Sequence, residues 1–341
     1  MKKSLMTLGV LALFVLMAYG QEKKFALYSV AFYNMENLFD TIHDEGKNDY
    51  EYLPNGTNQW NTMKYKAKLK NMSEILSMLS TDKLPMGPAI IGVSEIENYR
   101  VLEDILKQPV LADRGYQYVH YEGADQRGVD CAFFYNPKLF ELTNSKLVPY
   151  VYINDTVHKT RGFLIASGNI AGEKMHFIVN HWPSRAAASP ARERAGEQVR
   201  AIKDSLLRED SAAKIVIMGD MNDDPMDKSM AVALGAKRKP VDAGPTDLYN
   251  PWWDTLKKGY GTLMYKGKWN LFDQIVFTGN LLGTDRSTLK FYKHEIFRRD
   301  FMFQKEGKYK GYPKRTQAGG VWLNGYSDHL PTIIYLIKEV K

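Results

Sequence analysis

Short apolar runs that stop on a carboxylate, an amide or an imidazole recur along this chain. They constrain its fold more than any other feature. Residues 89–93 end at Ser94-Glu95, and residues 215–218 run straight into Gly219-Asp220. Asn34 follows the β-rich run 25–33, and residues 175–180 lead through Asn180 to His181. Asp273 opens the run 274–277, while Asp328-His329 stand just before 332–337. Further runs of strand character lie at 129–135, 142–153 and 163–170. Two longer segments carry the helical period instead. Tyr65, Leu69, Met72, Ile75, Leu76 and Leu79 form a stripe within 63–80, and Ala191, Ala195, Val199, Ile202 and Leu206 form a second. Strands alternate with helices, yet several β-runs are consecutive. That pattern predicts an α/β chain with two sheets packed face to face and helices outside. No Pro/Gly/Ser-rich linker interrupts it, so residues 21–341 read as one domain.

The start of the chain reads as a leader. Lys2 and Lys3 precede an almost wholly apolar stretch at 5–17, and Ala18-Tyr19-Gly20 places small residues before Gln21. This is the pattern of a secretory signal peptide spanning 1–20, which predicts export to the periplasm or outside the cell. The uncharged run is short for a membrane span. One cysteine in 341 residues excludes an intramolecular disulfide framework and a cysteine-cluster metal site. Stability therefore has to come from a packed core, and Cys131, inside an apolar strand, reads as a small buried hydrophobe.

Charge is unevenly distributed. Without Lys2 and Lys3 the formal charge falls from +7 to +5, while residues 286–315 alone carry ten Lys/Arg against Glu295, Asp300 and Glu306. Seven aromatic residues are interleaved there, from Phe291 to Tyr312. Cations neutralise phosphates and rings stack on bases, so the segment reads either as a nucleic-acid surface or as a solvated edge with rings packed inward.

Each polar strand tip taken alone has an ordinary explanation, as a turn, a cap or an ion pair. Their order is more specific. Phe32-Tyr33-Asn34-Met35-Glu36-Asn37, Val93-Ser94-Glu95, Arg127-Gly128-Val129-Asp130, Asn180-His181-Trp182-Pro183-Ser184, Gly219-Asp220-Met221-Asn222-Asp223, Phe272-Asp273-Gln274-Ile275 and Ser327-Asp328-His329 follow one another through the chain. In this series the sequence resembles the endonuclease/exonuclease/phosphatase superfamily, the DNase I-like metal-dependent phosphoester hydrolases. The resemblance implies a four-layer sandwich of two packed mixed β-sheets flanked by helices. It also implies a divalent cation, Mg²⁺ or Mn²⁺, held by Glu95 with Asn34 beside it and Asp328 as a further ligand. Oxygen donors of this kind suit such ions.

The same resemblance implies that Asp220 holds and deprotonates the attacking water and that Asn222 orients a substrate oxygen. His329 would face the phosphate with its ring fixed by Asp273, and His181 would donate near the phosphate or leaving oxygen. Met221 stands where many nuclease members carry an aromatic residue, a change of packing. Arg161, Arg185 and Arg315 are the candidate phosphate contacts, since the planar guanidinium matches phosphate oxygens. A monomeric secreted nuclease with a DNA or RNA substrate and no stable protein partner is the leading expectation. A phosphatase or phospholipase C-like enzyme acting on phosphoinositides, other phospholipids such as sphingomyelin, or inositol phosphates is the second, with Trp252-Trp253 at the lipid surface. An inactive binding protein on the same fold is the third, disfavoured by the intact acidic and histidine set.

Overall fold

The computed structural model describes residues 23–153 and 157–340, so the leader expected at 1–20 lies outside the described residues. In chain order the strands are β1 (Lys24–Leu38), β2 (Ile90–Ile96), β3 (Gln117–His120), β4 (Asp130–Tyr135), β5 (Glu141–Val148), β6 (Phe163–Ile170), β7 (Glu173–His181), β8 (Lys214–Asp220), β9 (Leu248–Tyr249), β10 (Leu263–Tyr265), β11 (Lys268–Asn270), β12 (Asp273–Thr278), β13 (Lys290–Ile296), β14 (Gln317–Ala318), β15 (Val321–Trp322) and β16 (Thr332–Val340). The helices are α1 (Thr62–Met78), α2 (Tyr99–Leu106), α3 (Pro109–Ala112), α4 (Ser189–Glu209) and α5 (Trp253–Lys257).

Two six-stranded sheets form the centre, ordered β13-β16-β1-β2-β4-β3 and β5-β6-β7-β8-β12-β9. Each contains one parallel pair, β1 with β2 and β7 with β8, among antiparallel neighbours. A parallel pair cannot be joined by a tight turn and needs a crossover. The two amphipathic stripes supply it, α1 between β1 and β2 and α4 between β7 and β8.

Alternation along each strand then sorts the side chains into layers. Val30, Phe32, Phe133, Phe177, Met218 and Ile334 face the space between the sheets. Their neighbours Ala31, Tyr33, Ile91, Phe134 and Tyr335 pack on α1 and α2, while Phe163, Ile165, Ile215 and Ile217 pack on α4. Burying each such side chain contributes roughly 1.5–3 kcal/mol. Gly92 permits the close approach of the two sheets, because a Cβ there would stand 2.6 Å from Met218 Sδ. Met221 and Cys131 are both buried in apolar clusters.

The structure departs from the sequence reading in three places. β1 continues to Leu38, so Asn34 and Glu36 lie within the strand rather than after it. β5 ends at Val148, short of the expected 153. The basic stretch is divided, since Lys290–Ile296 forms the edge strand β13, and Phe297 turns inward into the core. Charged residues on a sheet edge discourage pairing with another chain.

β2 leads into a buried acid. Glu97 is 3% exposed and its Oε2 accepts from the Asp40 amide at 2.7 Å. Burial pushes its carboxyl up to about 9, opposed by the Asp40 N–H and assisted by the Asp40 and Asp44 charges. The folded value lies above the unfolded one, so its contribution to stability is complete below about pH 4.3 and is lost as pH rises toward 9. Glu97→Gln keeps the shape and the acceptor. Thermal melts should show it equal to wild type near pH 4 but more stable at pH 8.5, by at least about 1 kcal/mol. An unchanged difference across that range would contradict the buried neutral acid.

Candidate active site

The polar strand tips meet because of the pairing pattern. β12 and β16 run antiparallel to β8 and β1, so the first residue of β12 lies beside the last of β8, and the first of β16 lies beside Phe32, two residues before Asn34. Asp273 pairs with Asp220 and His181 with Asp220, while Phe32 pairs with Thr332. Local backbone irregularities then aim the side chains. Glu36, Asn37, Glu95 and Asn222 have φ of 46°, 51°, 59° and 51°. The left-handed region costs a non-glycine residue roughly 1–2 kcal/mol, and such residues concentrate at functional sites. The ladder shifts register between Ser94 and Ile96 at Glu95, and between Asn34 and Leu38. Side-chain bonds hold these turns: Glu36 N donates to Asn34 Oδ1 at 2.8 Å, Asn37 N to Glu95 Oε2 at 3.0 Å, and Asn222 N to Asp220 Oδ1 at 2.9 Å.

At the centre Asn34 Nδ2 donates to Glu95 Oε1 at 3.2 Å and to Asp220 Oδ2 at 3.0 Å. The His181 Nε2 lies 3.6 Å from Glu95 Oε1 and 3.7 Å from Asp220 Oδ2. Burial, with Arg161 and Arg127 nearby, drives the His181 imidazole well below its ordinary value, so it is neutral. Glu95, His181 and Asp220 are one of the groups able to hold a metal ion. The donor set fits a hard divalent ion, because two convergent carboxylates repel unless a cation or proton lies between them. Glu95 would hold it, and such an ion polarises a phosphoryl oxygen. Asn34 shows its nitrogen, not its oxygen, to the acids. As placed it orients the ligand rather than serving as one.

Next to this group His329 Nδ1 and Asp273 Oδ2 are 2.7 Å apart, which fixes the ring. The His329 amide donates to Ser327 Oγ, and Ser327 Oγ donates to the Asn34 carbonyl. Burial opposes the charged imidazole, but the Asp273 and Asp220 carboxylates outweigh it and hold His329 well above its ordinary value. Its Nε2 lies 3.8 Å from Asp220 Oδ2 and 3.9 Å from Asp328 Oδ1. Asp220 is raised, chiefly by burial, against the pull of His329. A cationic imidazolium can donate to a phosphate oxygen, and a carboxylate of raised basicity can accept a proton from water. Asn222 Nδ2 is committed to the Trp182 carbonyl at 3.0 Å.

The three candidate arginines have different fates. Arg161 is buried, with Nη1 on Asp125 Oδ2 at 2.9 Å and Nη2 on the Trp182 carbonyl at 2.8 Å, so it braces the loop behind His181 instead of meeting substrate. Arg185 reaches Asp223, Asp224 and Asp227 and stacks on Phe272 at 4.5 Å. Arg315 bonds Glu36 Oε1 at 2.8 Å and Asp328 Oδ2 at 2.9 Å, and it lines a cleft of about 1100 Å³ shared with Tyr265, Lys266, Lys308, Tyr309 and Tyr312.

Two buried ionisable residues beside the reaction centre, Lys68 and Glu36, have no role in the sequence reading. Lys68 on α1 donates to Thr316 Oγ1 and the Tyr326 carbonyl and lies 4.0 Å from Glu36 Oε2. Burial pushes Glu36 up and Lys68 down, so the pair is held at the limit of charge separation. The signal for Lys68 was its place three residues after Tyr65 on the apolar face of the helix, where a charge is out of pattern.

The sequence profile described as the Endonuclease/Exonuclease/phosphatase family matches residues 29–338. Among solved structures, an endonuclease/exonuclease/phosphatase family protein from Bacteroides thetaiotaomicron is similar at 15% identity, with 93% of this chain and 97% of that chain covered and a TM-score of 0.58. A mannosyl-6-phosphatase from the same organism is 14% identical over 91% of this chain and 99% of its own, with a TM-score of 0.56. TDP2 of D. rerio, complexed with single strand DNA product, is 15% identical over 91% and 99%, with a TM-score of 0.53. At these identities the likeness concerns the fold. No curated protein matches the chain by sequence.

Two outcomes test the site. Glu95→Gln should raise the Mg²⁺ or Mn²⁺ concentration for half-maximal hydrolysis at least about tenfold and lower turnover, as read by titrating metal into chelator-treated enzyme. Full activity in excess chelator would contradict the metal assignment. With His329 acting as the protonated donor, activity should be present below its raised folded pKa and be lost as pH rises through it. Asp273→Asn removes the main charge holding that proton. The basic limb of the pH–rate profile should move to lower pH, with a loss on the order of 10²–10⁴ at pH 8. An unmoved limb would show that another group titrates there.

Proposed function

The chain belongs to the endonuclease/exonuclease/phosphatase family, and from that premise we propose that this phosphoester hydrolase is a divalent-metal-dependent nuclease acting on single-stranded DNA or RNA. The observation that carries this reading is the cleft beside Asp328 and Glu36. Tyr265 and Tyr309 are 61% and 52% exposed there, Lys266 and Lys308 lie 5.3 and 5.6 Å from the centres of those rings, and Tyr312 stands edge-on to Tyr309. Rings of this kind stack on unpaired bases, and the ammonium groups neutralise phosphates as the strand passes. The related fold of D. rerio TDP2, solved with single strand DNA product, supports the reading.

A second reading is a phosphatase acting on a small phosphorylated sugar. Much of the local positive charge is engaged within the protein. The Arg298 guanidinium lies 4.9 Å from the ring centres of Trp269 and Phe303, Arg299 lies 4.1 Å from Phe297, and Arg315 is tied to two carboxylates. Tyrosines and amides alone would suit a polyol. The similarity to a mannosyl-6-phosphatase favours this alternative over a lipid substrate. Trp252 gives a lipid enzyme no foothold, since it is fully buried and donates to the Ile275 carbonyl at 2.9 Å. The lysine-led apolar start at 1–20 supports export, with the mature enzyme beginning at Gln21.

The test is turnover of single-stranded DNA, RNA, sugar phosphates and a small aryl phosphodiester by the mature protein. Tyr309→Ala with Tyr265→Ala should raise KM for the polynucleotide by about 5–100-fold and leave the aryl diester unchanged. Lys266→Ala with Lys308→Ala should lower the log–log salt slope of single-strand binding by about 0.7 for each phosphate that is no longer neutralised. Hydrolysis of sugar phosphates alone, with no polynucleotide cleavage, would decide for the phosphatase.

A further inference from the structure

A second cluster of ligating side chains lies outside the reaction centre, where β3 turns into β4. One ligand atom from each of His120, Glu122 and Asp130 falls within 4.8 Å of the others. His120 pairs with Ala132 across the ladder. Its side chain and that of Asp130, two residues before Ala132, therefore project from the same face of the sheet. Gly123 closes over them, its amide donating to Asp130 Oδ2 at 3.0 Å. A Cβ on Gly123 would stand 2.1 Å from Asp130 Oδ1, so only glycine lets the loop lie so close to that carboxylate.

The His120 imidazole is the independent sign of a ligand. Its side chain is 5% exposed, and Nε2 is buried with no hydrogen-bond partner. Asp130 Oδ2 lies 3.4 Å from that nitrogen, out of hydrogen-bonding alignment. Leaving a buried polar atom unpaired is destabilising, and a coordinated ion would offset that cost. The local charge also favours a cation. Glu122 and Asp130 are opposed by Lys47, whose Nζ is occupied by the Gly123 and Asp125 carbonyls, and Asp44 close by is neutralised by Arg100.

We propose that His120, Glu122 and Asp130 form a second, non-catalytic divalent-cation site that staples the loop between β3 and β4. One imidazole with two carboxylates suits a borderline ion such as Zn²⁺ better than the oxygen-rich reaction centre does. The consequence reaches the active site through one chain of contacts. The stapled loop carries Asp125, Asp125 holds Arg161, and Arg161 holds the Trp182 carbonyl next to His181. The ion therefore acts by positioning.

The probe is Zn²⁺ itself, titrated by calorimetry and thermal melting into chelator-treated Glu95→Gln protein, whose reaction centre has lost one of its two convergent carboxylates. One equivalent should bind and raise Tm. Adding His120→Gln should weaken that binding at least tenfold and abolish the Tm rise. Glu122→Gln, at an exposed position, should weaken it in the same direction even if the histidine variant folds poorly. In the otherwise unmodified enzyme, Glu122→Gln should remove the added thermal stability from Zn²⁺. Absence of Zn²⁺ binding to the Glu95→Gln protein overturns the proposal. So does Zn²⁺ binding whose affinity is the same after both replacements.

Discussion

The amide nitrogen of Asn34 ties the two sheets together where the chemistry sits. It donates to Glu95 on β2 within its own sheet and to Asp220 on β8 in the facing sheet. Two carboxylates brought this close, Asp220 buried and Glu95 partly so, repel each other, and the repulsion grows as water is excluded. A neutral donor between them relieves part of that cost and leaves the remainder available to a cation or a proton. The Asn34 oxygen is held by the Glu36 amide, so the side chain cannot turn over and exchange its donor for an acceptor.

Other features of the site depend on that junction. Glu36, Asn37 and Glu95 adopt left-handed backbone that regular strands would refuse, and each departs from the ladder where a side chain must be re-aimed. The strain is tolerated because the surrounding layers are closely packed and because the turns close on the same polar atoms that form the site. His329 is tied to the junction by a separate route, through Ser327 to the Asn34 carbonyl. The imidazolium and the Asp220 carboxylate are thus parts of one charge balance, and changing either alters the proton affinity of the other.

Net charge and usable charge differ sharply in this protein. The late basic segment carries a formal excess of cations, yet Arg298 and Arg299 lie against aromatic rings and Arg315 closes an ion pair with Glu36 and Asp328. A guanidinium held in this way orders the wall of the cleft and contributes less to long-range attraction of an anion. The lysines at the mouth, with ammonium groups beside exposed tyrosines, are better placed to meet a ligand.

Much of the architecture was legible in the residues. Buried strands end on polar residues in a recognisable order, and α1 and α4 carry stripes at helical spacing. The two-sheet arrangement, and the meeting of the strand ends that carry Glu95, Asp220, Asp273 and His329, could therefore be read from the chain alone. Side-chain periodicity and residue chemistry are local properties, and a linear sequence displays them directly. Partnership is not local. Arg161, chosen for its affinity for phosphate, is turned inward by Asp125, thirty-six positions earlier in the chain. Lys68 and Glu36 meet only because α1 crosses beneath the loop that carries Thr316, some 250 positions later. Which face of Asn34 meets the acids depends on the Glu36 amide and a left-handed turn. Sequence determined which groups could do the chemistry. Tertiary structure alone decided which charges are neutralised, buried or left free, because Coulomb energy and desolvation depend on distances across the packed sheets and not on separation along the chain.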